Sequence, residues 1–135
     1  MFFDFRIGIV SNTAAAEEFD FGILKGTAKY HGSSYGLIGN PTVTFSVLGP
    51  SKIYFAQMDY GSEFTVRAGA TELGKVTTEG TSINGDNKKC TKTVLAEAIA
   101  EGHVDSVTYT GSGPAEITVT GSQYLSRIWV TEYQE

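Results

Sequence analysis

Apolar and polar side chains alternate most cleanly at Thr42–Val47, where Val43, Phe45 and Val47 point one way and Thr42, Thr44 and Ser46 the other. A period of two is what a half-buried β-strand requires. Gly49-Pro50 ends that strand, and Ser51–Tyr60 restarts the pattern, with Ile53 and Phe55 on one face and Tyr54, Ala56 and Met58 on the other. Asp59–Ser62 supplies the next turn, and Glu63–Ala68 then places Phe64, Val66 and Ala68 inward. Gly69, Gly74 and Gly80 divide the next stretch of chain into short ribbons of the kind found in edge hairpins. Ile83-Asn84-Gly85-Asp86 is the strongest hairpin signal, because Asn84 and Gly85 suit the positive φ angles of a type I′ turn. Val104–Thr110, Ala115–Thr120 and Leu125–Tyr133 are the last three strands, separated by Gly111-Ser112-Gly113-Pro114 and Gly121-Ser122-Gln123.

One segment has two readings. In Thr93–Ala100 the pairs Val94/Ala98 and Leu95/Ile99 favour a short helix ended by Gly102, while Thr93, Leu95, Glu97 and Ile99 also alternate. A strand is favoured, since the neighbours are strands and an eight-residue helix is marginal alone. Strand-length segments recurring about every ten residues, with no helical crossover, predict an all-β, antiparallel two-sheet β-sandwich, jelly-roll-like. Residues 1–18 read as an N-terminal arm and linker, and residues 19–135 as the sandwich domain. The arm carries Phe2, Phe3, Phe5, Ile7, Ile9 and Val10. Asp4 and Arg6 interrupt it as a secretory apolar run, so its alternation reads as a strand.

At 135 residues the chain is one domain's worth, and 41% hydrophobic content suffices for a core. Net charge −5 removes the basic footprint by which phosphate backbones are held, so nucleic acid is not an expected partner. No apolar run approaches the roughly 20 residues a membrane-spanning helix needs, so no membrane insertion is expected. The single cysteine, Cys90, forms no intrachain disulfide.

Catalytic constellations are absent from the pattern. His31 and His103 have no Asp, Cys or second His at ligand spacing, and no nucleophile elbow, phosphate loop or zinc motif occurs. Asp59 and Glu63 flank Tyr60-Gly61 and read as solvated turn acids rather than a hydrolytic pair. Asn84, Asp86 and Asn87 offer hard oxygen donors for calcium, but no downstream Glu completes a loop and the hairpin accounts for them. The expectation is therefore a protein without enzymatic activity and without a cofactor.

Aromatics carry the functional signal, since a sugar's C–H face can lie on a ring while its hydroxyls bond to polar neighbours. Tyr and Trp tolerate half-exposure with one wet end. Tyr30, Tyr35, Tyr54, Tyr60 and Trp129 are the candidate platforms, with His31, Asp59 and Glu63 as hydrogen-bond partners. In the last strand Ile128 and Val130 share one face and Trp129, Thr131 and Tyr133 the other. Trp129 then lines the outer surface, or lies buried under a loop if both sheet faces are covered.

Phe19-Asp20-Phe21-Gly22, Tyr30-His31-Gly32-Ser33-Ser34-Tyr35-Gly36-Leu37, Thr42 through Ile53, Tyr109-Thr110-Gly111 and Gly121 through Val130 occur in that order. Together they resemble the β-sandwich accessory modules that accompany catalytic domains in secreted polysaccharide-degrading enzymes, especially pectin-active ones. The resemblance spans Phe19 to Glu132 and departs at Phe19, where such modules often carry Trp. It implies an extracellular, non-catalytic carbohydrate-binding module whose partner is a polysaccharide. The alternative is a structural protein of a filament, shell or virion surface, self-assembling as a homo-oligomer through strand exchange of residues 1–16.

Overall fold

The computed structural model describes residues 1–7, 15–32, 36–58, 63–77, 90–121 and 123–132. Its elements in chain order are β1 (Phe2–Asp4), a 3₁₀ turn (Phe5–Ile7), β2 (Glu17–Asp20), β3 (Leu24–Gly32), β4 (Gly36–Val47), β5 (Ser51–Ala56), β6 (Glu63–Ala68) and β7 (Thr71–Thr77). After these come α1 (Leu95–Glu101), β8 (Val104–Tyr109), β9 (Ala115–Gly121), β10 (Gln123–Leu125) and β11 (Arg127–Glu132). They form an antiparallel two-sheet β-sandwich. One sheet runs β1-β11-β5-β8, and the other runs β2-β3-β4-β9-β6-β7 with β10 paired to β4.

Alternation decides which side of each strand is dry. Val43, Phe45 and Val47 of β4, Phe64 and Val66 of β6, and Ile117 and Val119 of β9 meet Ile53 and Phe55 of β5 and Ile128 and Val130 of β11 in one core. Phe3 and Phe5 join that core beside β1, with Phe3 tilted against Phe45 at 5.4 Å between centroids. The opposite face of the larger sheet stays polar. Thr44 and Thr118 share a hydroxyl contact of 3.3 Å, and exposed ion pairs join Lys25 to Glu116 and Arg67 to Glu72. Pairs this exposed add little stability and keep the face solvated.

Two local expectations are corrected. Residues Leu95–Glu101 are helical rather than extended, with Gly102 in the left-handed conformation at φ 83° closing the helix onto the carbonyls of Ala98 and Ile99. The helix persists despite its length because Ala98 is buried against the smaller sheet, so tertiary packing supplies what nucleation lacks. Gly74 does not end a ribbon: it lies inside β7, whose pairing with β6 shifts register between Val66 and Arg67. The Ile83–Asp86 hairpin and the calcium donors Asn84, Asp86 and Asn87 lie outside the described residues.

The β1 end is fixed by an internal ion pair. Arg6 donates through its backbone N–H and Nε to Asp4 Oδ1 and through Nη2 to Oδ2 at 2.8 Å. Burial pushes the Asp4 carboxyl up, but these hydrogen bonds and the Arg6 and Arg127 charges outweigh it and hold the group below its ordinary value of 3.8. A depressed carboxylate stabilises the fold above the unfolded value and loses that contribution as pH falls through the folded value. Asp4→Asn should therefore be less stable than the parent chain by up to about 1 kcal/mol at neutral pH, a gap that closes below pH 3.8. Denaturant melts across the acid range check it.

Candidate functional site

Side chains on the outer side of the smaller sheet follow from its register. β11 pairs with β5 so that Trp129 stands opposite Tyr54, and β1 pairs with β11 so that Phe2 stands opposite Trp129. β8 completes the row with Ser106 opposite Tyr54, and adds Thr108 opposite Lys52. Because Ile53, Phe55, Ile128 and Val130 take the inner positions, Phe2, Trp129 and Tyr54 line up across three neighbouring strands on the outer face. Strand spacing of about 4.8 Å brings such neighbours into ring contact. Phe2 and Trp129 stack at 5.4 Å between centroids and 18° between planes. On the far side of the row the Lys52 ammonium lies 5.3 Å from the Tyr54 ring centroid.

One flank of this row is roofed. Residues 90–101 cross the outer face and bury Cys90 and Ala98 against Ala56 and Trp129, with Tyr54, Leu95 and Val104 packed around them. Trp129 Nε1 donates to the Thr93 carbonyl at 2.9 Å. Arg127 donates to the carbonyl oxygens of Lys92 and Cys90, the latter at 2.7 Å. Thr91 closes the strap on α1 by donating its N–H and its hydroxyl to the Glu101 carboxylate. Cys90 is buried, and burial pushes its thiol up, which keeps it neutral in that setting.

Trp129 is therefore 4% exposed and is no open platform. Of the two placements its sequence position allows, cover by a neighbouring segment is the one realised, because an outward indole left bare would waste a large apolar surface. Tyr54 is half-buried beside it, and Phe2, absent from the sequence-based candidates, is 43% exposed. The remaining candidates do not converge on this face. Tyr30 packs on the core and donates its hydroxyl to the Arg6 carbonyl at 2.6 Å, tying β3 to the 3₁₀ turn. Glu63 stands in the other sheet, 3.7 Å from Lys75. His31 belongs to β3, and Tyr35, Asp59 and Tyr60 lie outside the described residues.

Chemically the face offers a ring edge, a second ring shared with an ammonium, and the hydroxyls of Thr131, Thr108 and Ser106 on adjacent strands. Among the described residues no group of three His, Cys, Asp or Glu side chains is placed to hold a metal ion. No helix among them is long and apolar enough to cross a membrane. No protein-family model matches the chain, and comparison with curated proteins and with solved structures gives no match.

Proposed function

We propose that the chain is a non-catalytic, extracellular carbohydrate-binding module that lays a polysaccharide along the outer face of the smaller sheet. The observation that supports it is the in-register row Phe2–Trp129–Tyr54 beside a strip of hydroxyls. Phe2 and Tyr54 offer ring surface to sugar C–H faces, and Trp129 is the buried base on which Phe2 stands. Lys52, Thr108 and Thr131 hydrogen-bond to hydroxyls. Each polar contact replaces water of similar quality, so affinity per site is weak.

Calorimetry against pectins, glucans and chitin tests this. Binding to at least one is expected, weakened about tenfold by Tyr54→Ala and by Phe2→Ala, a loss near 1.4 kcal/mol. A folded protein that binds no member of the panel, or variants that bind as the parent does, removes the proposal.

A second reading, assembly by N-terminal strand exchange, is favoured by one feature. β1 is an edge strand of only three residues followed by the buried Phe5, so its contacts could equally be supplied by another copy. A chain lacking residues 1–16 that captures a peptide of residues 1–7 in trans supports it, and failure to capture counts against it.

A further inference from the structure

Among the described residues, four of the seven exposed large apolar side chains lie at one end of the sandwich, the others being Phe2, Val94 and Ile99. Leu24 pairs with Phe45, Ala115 with Val47, and Glu132 with Ser51, so the β2–β3 turn, the β4–β5 turn and the end of β11 all sit at this pole. Leu48 is 86% exposed, Ile23 69%, Phe21 57% and Met1 52%. Between Met1 and Leu48 opens a cleft of about 680 Å³ whose apolar walls include Val47, Pro50 and Val130. The turn Phe21–Ile23, whose Phe21 stacks on Phe19 at 5.8 Å between centroids, thus stands as a knob at the same end of the molecule as this hole without lining it.

We infer that this pole is a self-association surface whose occupant is a second copy of the chain. At these exposures the four residues present at most roughly 500 Å² of apolar surface, within the range of the largest patch a monomer leaves open. Two copies pole to pole remove at most about 1,000 Å² from water, which is the size of weak, transient interfaces. A knob and a hole on one surface are self-complementary under a two-fold axis: the Phe21–Ile23 turn of each copy enters the cleft of the other, and the contact closes at two. The area sets the strength. The dimer is weak and exchanges rapidly, and it leaves the aromatic row on the outer sheet face free.

Sedimentation velocity from about 10 µM to about 1 mM should show the sedimentation coefficient rising with concentration toward the dimer value and stopping there. Ile23→Glu with Leu48→Glu should remain monomeric throughout with an unchanged circular dichroism spectrum, since both sites are exposed. Concentration-dependent amide shifts in the parent should centre on Phe21–Ile23 and Val47–Gly49. A parent chain monomeric at 1 mM overturns the inference. So do growth past the dimer, association that survives in the double variant, and shifts centred elsewhere.

Discussion

Arg127→Ala should lower stability by about 4 kcal/mol and the melting temperature by about 12–15 °C, one of the two largest single-site effects expected in this fold. Arg127 is 1% exposed, and burial pulls its guanidinium downward from the ordinary arginine range. Its Nη1 donates to the Lys92 carbonyl and its Nη2 to the Cys90 carbonyl, Nη2 also lies 4.0 Å from Met58 Sδ, and the buried Nε finds no partner among the described residues. Alanine strips the Cys90 carbonyl of its donor, at about 1–3 kcal/mol, leaves the Lys92 carbonyl with only the weak Cys90 thiol contact at 3.6 Å, and opens a void where the side chain ran. Arg127→Met keeps most of the volume and should lose about half as much. Trp129 is the chain's only tryptophan, so its emission should shift red in Arg127→Ala as the strap over it loosens. Thermal and denaturant melts check the stability. A loss under 1 kcal/mol would show that something other than Arg127 holds the strap.

Gly26→Ala should be nearly as damaging, at about 3–4 kcal/mol. Gly26 faces inward between Leu24 and Ala28, and a Cβ placed there would stand 1.9 Å from the Thr42 carbonyl oxygen and 3.0 Å from Phe19 Cζ. The first of these is backbone, so β3 would have to move off β4 next to the register shift between Thr27 and Lys29. Gly113→Ala, with nothing within 4 Å of its added Cβ, is the control and should stay within about 0.5 kcal/mol of the parent. Equal stability of the two variants would mean that β3 yields freely.

Several strands are readable directly from alternation. Val43, Phe45 and Val47, Phe64 and Val66, and Ile117 and Val119 are inward because a two-residue period leaves one face dry, and local sequence carries that period. The front half of β4 is not readable in this way. Gly39 and Asn40, both at positive φ, look like turn residues but sit within a strand that β10 joins. The helix Leu95–Glu101 is ambiguous in sequence because what stabilises it is the apolar face of Trp129 and Ala56, distant along the chain. The same limit applies to the aromatic face. Parity alone puts Tyr54 and Trp129 outward, but their adjacency requires the β5–β11 register, and Phe2 requires the β1–β11 pairing. Nothing local to Trp129 announces that residues 90–101 will roof it.

The single thiol of the chain sits at 0% exposure beneath that roof. Alkylating reagents and oxidants can reach it only when residues 90–101 lift, so its labelling rate under native conditions is a clock for that opening. The folded molecule needs no reductant to stay free of intermolecular crosslinks through Cys90, and any disulfide-linked pairs that accumulate on storage record how often the cover has come away.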